Sequence, residues 1–174
     1  MFILYLIIAL LVIYFIFTYN SFVSLKNQVL NSFSGIDVQL KKRNDLIPNL
    51  VSTVKGYAKH EKSLLESIAK TRSSIMSSLK EKDVEKVSSQ DKELSDNLKS
   101  LFAVSENYPN LKANKNFLEL QREMSRIENN IAASRRIYNS NVAIFNSKLQ
   151  IFPNNLFNKL LKFDEFKFYE LGEK

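Results

Sequence analysis

The longest uninterrupted apolar run lies at the start of the chain. Residues 1–17 are all apolar or aromatic, and no charged side chain occurs before Lys26. A helix needs about 20 residues to cross the roughly 30 Å hydrocarbon layer of a bilayer, so residues 1–19 are predicted to be a transmembrane anchor. A cleaved signal peptide is the alternative, but it calls for a basic start and a small-residue cleavage site, which are lacking here. We therefore expect an uncleaved anchor that places the chain in the lipid bilayer.

After the anchor, apolar residues recur every three or four positions, which is typical of amphipathic helices. The pattern predicts four: one from the membrane to about residue 43, then 48–79, 83–107 and a last one from Asn114 or Asn116 to 152. Asn44–Pro48 indicates a break, because proline lacks an N–H and its predecessor avoids helical geometry. The apolar phase nevertheless continues across Pro48, so a single kinked helix is the alternative.

Composition agrees with an all-α fold. The 174 residues contain three glycines and three prolines, too few for the many turns of a β fold. The predicted organisation is an anchor at 1–19, a helical bundle at 20–153 and an aromatic-rich C-terminal tail at 154–174. The tail either lies at the membrane interface or packs back on the bundle. A repeated pattern places Asn20 and Asn27, and likewise Asn139 and Asn146, seven residues apart on one helix face, either to bond across neighbouring elements or by chance.

Candidate chemistry is sparse. There is no cysteine, and His60 is the single histidine, without the second histidine of a zinc-binding H-E-x-x-H motif. No phosphate-binding glycine loop or nucleophile motif is present, so we expect no enzyme, no metal and no cofactor. The net charge of +7 is spread over helices that also carry acidic residues, and without a nucleic-acid-binding motif we expect no nucleic acid partner.

Charged residues near an apolar stripe predict a structural polar network. Glu128 and Arg135 lie close to the apolar face of the last long helix. A buried charge left alone costs several kcal/mol, roughly 3–5, so each needs a partner. Asp37 on the first helix is the candidate partner of Arg135.

Three segments resemble the LemA family of bacterial membrane proteins. They read YPNLKANKNFLELQRE (108–123), IDVQLKKRNDLIPNLVSTVKGYAKHE (36–61) and ENNIAASRRIYNSNVAIFN (128–146). With Tyr19-Asn20 and the Phe-rich end, the resemblance covers nearly the whole chain. It implies a single N-terminal transmembrane helix followed by a long antiparallel four-helix bundle, and it implies no reaction. Two positions depart from the family pattern: Asn44 stands where an aromatic residue is usual, and Phe145 where tyrosine is.

The expected function is that of a membrane-anchored scaffold or adaptor that docks unidentified protein partners; self-association stays open. The alternative is a membrane-surface sensor that acts through the aromatic tail, and an enzyme or metal carrier is least favoured. Lys26 follows the anchor, which favours a cytoplasmic location for the bulk of the chain. An up-and-down bundle would point its first and third loops away from the membrane and leave the turn at 80–82 near it. The predicted partner-binding residues in those two distal loops are Lys41, Lys42, Arg43, Asp45, Tyr108, Asn110, Lys112 and Asn114, with helix capping as their alternative role.

Overall fold

The computed structural model describes residues 1–170, and within that range the regular structure is helical throughout. Residues 171–174 of the predicted tail lie outside the described part. The α-helices are α1 (Phe2–Lys55), α2 (Lys62–Glu81), α3 (Val84–Ser105), α4 (Pro109–Lys112), α5 (Lys115–Gln150) and α6 (Asn154–Leu161), and a 3-10 turn spans Lys59–Glu61. The all-α prediction, with a long apolar N-terminal helix ahead of a bundle, is confirmed.

The first part of α1 is long and apolar enough to cross a membrane. Of residues 1–17, Phe15 alone is half-buried and the others are exposed. Apart from the contact of Tyr14 and Phe15 with Phe157, the described part of the chain leaves these apolar side chains uncovered. Further along, α1 turns one face inward with Phe22, Val29 and Ile36, which are fully buried.

Helix α1 passes through Pro48 without a break, so the predicted break at 44–48 is wrong. The alternative of one helix across the proline is confirmed as far as Lys55, where α1 ends and a separate α2 follows. Pro48 has no N–H to donate to the carbonyl of Asn44, four residues earlier. That carbonyl accepts a 2.8 Å hydrogen bond from Nε of Arg72 on α2 instead. Ile47 and Leu50, on either side of the proline, are both buried. The chain reverses after α1, around residues 56–58, and the second helix begins at residue 62.

The long helices run antiparallel. Residues of α1 contact α5 in reverse order, from Arg43 with Glu128 to Gln28 with Asn141. The same reversal joins α2 to α3, since position 71 bonds position 93 and position 67, one turn earlier, bonds position 97.

The bundle changes along its length because α2 and α3 are short. Helix α2 has 20 residues, so it reaches back along α1 only to about Gly35. The turn at Lys82 therefore lies about 24 Å beyond Tyr19 at 1.5 Å per residue, not near the membrane as expected. Below that turn, α1 and α5 continue as a pair.

The C-terminal segment covers this lower pair. The Phe163 ring packs on Phe22 of α1 at 5.4 Å, and Phe166 packs on Phe145 of α5 at 5.2 Å between ring centroids. Tyr169 is buried. The extended residues after α6 thus pack back on the bundle and replace α2 and α3 in its lower half.

Candidate functional site

Two connections meet at the end of the bundle farthest from the anchor. We call this the distal end, residues 56–61 and 106–114. Asn114 donates a 3.0 Å hydrogen bond to the Tyr57 hydroxyl, and the Tyr108 hydroxyl donates one of 3.1 Å to Glu61. Desolvation, and next the bond to Glu61, raise the pKa of Tyr108. The end is therefore cross-linked by polar side chains.

An open groove of about 370 Å³ lies beside the distal end, between the last turns of α1 and the first turns of α2. We call it the distal groove. Its apolar lining comes from Val51, Ala58, Leu65 and Ala69, and its charged lining from Lys55, Lys59, Lys62 and Glu66. All three lysines are exposed. The groove thus combines an apolar surface with a mainly positive rim.

The structure separates the eight predicted partner-binding residues into two groups. Tyr108, Asn110, Lys112 and Asn114 lie at the distal end. Lys41, Lys42, Arg43 and Asp45 lie within α1, about 20 Å below its end by helical rise, and not in a loop as expected.

Individual roles differ within these groups. Lys41, Lys42 and Asp45 are exposed, whereas Arg43 is buried. At the distal end, Lys112 forms an ion pair with Glu106. Asn110 lies on α4 and is exposed. The Asn114 side chain accepts a 3.0 Å bond from the backbone N–H of Phe117 and so caps α5.

A buried ionic cluster joins α1, α3 and α5. The Arg43 guanidinium forms ion pairs with Asp91, through Nη2, and with Glu128 at 2.9 Å, through Nη1. Ser95 accepts from the same Nη1 at 3.1 Å. Arg43 and Asp91 are each 1% exposed. A single buried charge would destabilise the fold, and here the positive charge of Arg43 and the negative charge of Asp91 compensate each other.

Tyr169 attaches the C-terminal segment to this cluster. Its hydroxyl donates a 2.7 Å bond to Asp91. Burial, and then the negative charge of Asp91, raise the pKa of Tyr169, while the charges of Arg43 and Arg135 act against that rise. The neutral, donating form of this tyrosine is therefore the one the fold favours.

The predicted polar network is only partly found. Glu128 belongs to the cluster, but Asp37 pairs with Lys41 on its own helix at 2.7 Å and not with Arg135. Arg43 and Asp91 were missed as partners. The signal was present, because position 43 lies between the apolar positions 40 and 47 of one stripe, and position 91 between the apolar positions 87 and 94 of another.

Two asparagines of α5 hold the extended segment. Asn146 accepts from the N–H of Phe166 at 3.0 Å and donates to its carbonyl at 2.8 Å. Asn139 does the same for Tyr169, at 2.8 and 3.1 Å. Seven helical residues rise about 10.5 Å and three extended residues about 10 Å, so the two spacings match.

This match explains one copy of the repeated asparagine pattern. Tyr138, next to Asn139, adds a 2.9 Å bond to the Lys167 carbonyl, and burial raises its pKa to about 12. The corresponding pair on α1, Asn20 and Asn27, is exposed to solvent.

A metal site requires several acidic, histidine or cysteine side chains close together. Within residues 1–170, no three His, Cys, Asp or Glu residues gather closely enough to hold a metal ion. His60 is exposed in the 3-10 turn of the distal end.

Comparison with known proteins identifies relatives of this chain. Residues 32–174 match the model of the LemA family. The curated Protein LemA of Metamycoplasma hominis is 30% identical over 158 residues, which are 88% of this chain and 70% of that protein. The family match begins after the apolar segment and includes the bundle from residue 32 onward, the asparagine pair Asn139 and Asn146, and the residues after α6.

Proposed function

This chain belongs to the LemA family, and from that premise we propose that it is a membrane-anchored scaffold that docks protein partners at its distal end. The observation that carries the proposal is the continuity of α1. One helix of 54 residues joins the apolar segment to the distal groove. At 1.5 Å per residue, the stretch from Tyr19 to Lys55 holds that groove about 54 Å from the bilayer surface.

The lining of the distal groove suggests the chemistry of the partner. Val51, Ala58 and Leu65 offer apolar contact, while three exposed lysines outnumber Glu66 around them. An acidic amphipathic helix would place its apolar face on Val51, Ala58 and Leu65 and its carboxylates beside the lysines. The expected partner is therefore a protein with such a segment, and docking it requires no catalysis.

Charge reversal of the lysine rim tests the docking site. The variant Lys55→Glu/Lys59→Glu/Lys62→Glu is compared, in the full chain, with a control of equal charge change, Lys41→Glu/Lys42→Glu/Lys112→Glu. Partners are cross-linked in membranes, captured after detergent extraction and identified, and a peptide of the identified acidic segment is used as competitor.

The proposal predicts that the rim variant alone loses the partner. Each variant breaks exposed ion pairs, which are worth little, so the two melting temperatures should fall only slightly and by similar amounts. Loss in the control alone would place docking outside the groove, at Lys41 and Lys42 on α1 or at Lys112 on α4. Capture unchanged in both variants would overturn docking at either surface. A fall in melting temperature alone would indicate that these residues only stabilise the fold.

We further propose that the bundle lies on the cytoplasmic side of the membrane. Lys26 follows the anchor closely, and Lys148 and Lys159 lie on the elements that pack near its base. Lysine near a span tends to stay on the cytoplasmic side. A reporter fused at Lys174 is expected to be active in the cytoplasm, and activity confined to the other side would refute this orientation.

A second candidate function is a membrane-surface sensor that acts through the C-terminal segment. One observation favours it. The residues from 154 to 170 pack against the anchor through Phe157 of α6 and against the buried cluster through Tyr169. Hydrogen exchange of residues 163–170 should then differ between bilayers of different thickness. Equal protection in both would exclude this role.

A further inference from the structure

Helix α6 packs against the last turns of the apolar segment. The Phe157 ring lies 5.5 Å from that of Tyr14 and 5.6 Å from that of Phe15, between centroids. The Tyr14 hydroxyl approaches Oδ1 of Asn154 at 3.4 Å. These contacts fix α6 at the level of residues 14–15, which belong to the apolar run. Thr18, the first buried polar residue of α1, comes after them.

The length of the apolar run then sets the depth of α6. From Phe2 to Phe17 the helix rises about 23 Å, which is less than the roughly 30 Å of hydrocarbon. If this run spans the bilayer, residues 14–17 cannot stand clear of it. They lie at the edge of the hydrocarbon layer, and α6 lies there with them.

The outer side of this region carries large apolar side chains. Ile151 is 58% exposed, Phe152 73%, Leu156 52% and Leu160 73%. Leu156 and Leu160 are four residues apart and thus share one face of α6, while Phe157 packs on the anchor. Ile151 and Phe152, in the connection just before α6, add two more exposed apolar side chains. We call these four residues the α6 face. Because Phe157 holds α6 against the anchor, this face lies beside the exposed apolar surface of the anchor.

We propose that α6 is an interfacial helix, with the α6 face inserted among the acyl chains of the leaflet that surrounds the end of the anchor. The occupant is lipid and not protein because the face is continuous with an apolar segment that lipid already surrounds. This inference rests on the proposed membrane anchoring and adds a second contact with the bilayer.

The insertion is driven by apolar burial and not by charge. Lys159 and Lys162 are exposed beside the face, but Asp164 and Glu165 follow them and are also exposed. These four charges cancel, and Lys26 and Lys148 lie further up the bundle, over the rings of Phe163 and Phe22. The contact should therefore form in zwitterionic lipid as well as in anionic lipid, and it should survive high salt.

Single tryptophans test the inference, since the chain contains none of its own. Full-chain variants are reconstituted in nanodiscs with lipid brominated at one of two depths. Bromine near the headgroup end of the acyl chains quenches tryptophan at the edge of the hydrocarbon layer, and bromine near the methyl end quenches tryptophan at the middle of the span. Leu160→Trp and Phe152→Trp report on the α6 face, and Ile8→Trp reports on the anchor. Ile137→Trp, at an exposed site about 20 Å up α5 from Gln150, is the matched control outside the bilayer. Circular dichroism verifies that each variant is folded.

The inference predicts that the tryptophans at positions 160, 152 and 8 lose most of their fluorescence in brominated lipid and that the one at position 137 keeps its own. Quenching at position 8 without quenching at 160 and 152 would overturn the inference and leave the anchor intact. Absence of quenching at position 8 would instead refute the anchoring itself. Equal quenching at position 137, or quenching at position 160 that requires anionic lipid, would also overturn the inference.

Discussion

At the scale of single residues, Arg72 compensates for the hydrogen bond that Pro48 removes from α1. Pro48 leaves the Asn44 carbonyl without its helical donor, and Arg72 supplies a donor from the neighbouring helix. A buried carbonyl left unsatisfied costs about 1–3 kcal/mol. A proline can therefore occupy the interior of α1 because another element compensates for it.

A double-mutant cycle tests this compensation. Arg72→Met keeps the apolar stem and removes the donor, and it should lower the free energy of unfolding by about 1–3 kcal/mol. In a Pro48→Ala background, residue 48 supplies its own N–H, so the same substitution should cost clearly less. Chemical denaturation of the four proteins in detergent measures the coupling, and equal costs in both backgrounds would contradict the explanation.

The side chain of Asn44 predicts a stabilising substitution. It is buried, and neither its Oδ1 nor its Nδ2 has a hydrogen-bond partner. Asn44→Leu should raise the free energy of unfolding by about 1–2 kcal/mol, because it removes two unsatisfied polar atoms from the interior. Asn49→Leu, at an exposed site on the same helix, is the control and should change little. If Asn44→Leu proves destabilising, Asn44 has polar contacts that this account lacks.

The buried tyrosines predict weaker folding at high pH. In the unfolded chain tyrosine ionises near pH 10, whereas the folded pKa of Tyr138 is about 12 and that of Tyr169 is also raised. The stability that each contributes is complete below about pH 10 and is lost as pH rises through the folded pKa, by up to about 1.4 kcal/mol per pH unit. Thermal unfolding followed upward from about pH 9 should therefore show a steeper loss for the native chain than for Tyr138→Phe/Tyr169→Phe. Parallel curves would refute the assignment.

At the scale of elements, the extended segment depends on the asparagine pair of α5. Asn139→Ala/Asn146→Ala removes four hydrogen bonds to the backbone of residues 166 and 169, worth about 1 kcal/mol each. Hydrogen exchange of residues 163–170 should rise, and the melting temperature should fall. Asn20→Ala/Asn27→Ala removes the exposed pair with the same spacing. It should change neither the hydrogen exchange of residues 163–170 nor the melting temperature. Similar behaviour of the two variants would mean that the spacing has no such role.

The helices themselves were predictable because apolar spacing is a local property of the chain. Helices α3 and α5 follow from it, and the end of α5 follows from Pro153. Of the two predicted caps of α5, Asn114 is the one found. The continuity of α1 does not, because it depends on Arg72 from another helix. The pairing of Arg43 with Asp91 and the path of residues 163–170 depend on the register between helices, which local patterns leave undetermined.

At the scale of the whole molecule, an unbroken α1 predicts a long fixed distance. The chain has no cysteine, so Asn20→Cys/Lys55→Cys carries two unique spin labels at exposed sites. About 35 residues of helix should separate them by about 53 Å. Pulsed electron spin resonance on the full chain in nanodiscs should give a narrow distribution near that value. A broad or clearly shorter distribution would indicate a break at Pro48.

Because the apolar segment and the bundle share one helix, the bundle has no joint where it leaves the apolar segment. Transmembrane helices tilt by about 20° on average, and the tilt adjusts to bilayer thickness. A stiff lever of about 53 Å converts a tilt of about 20° into a sideways displacement of about 18 Å at its far end. With the proposed anchoring, the area that the distal groove can reach beside the membrane therefore depends on the thickness of the surrounding lipid.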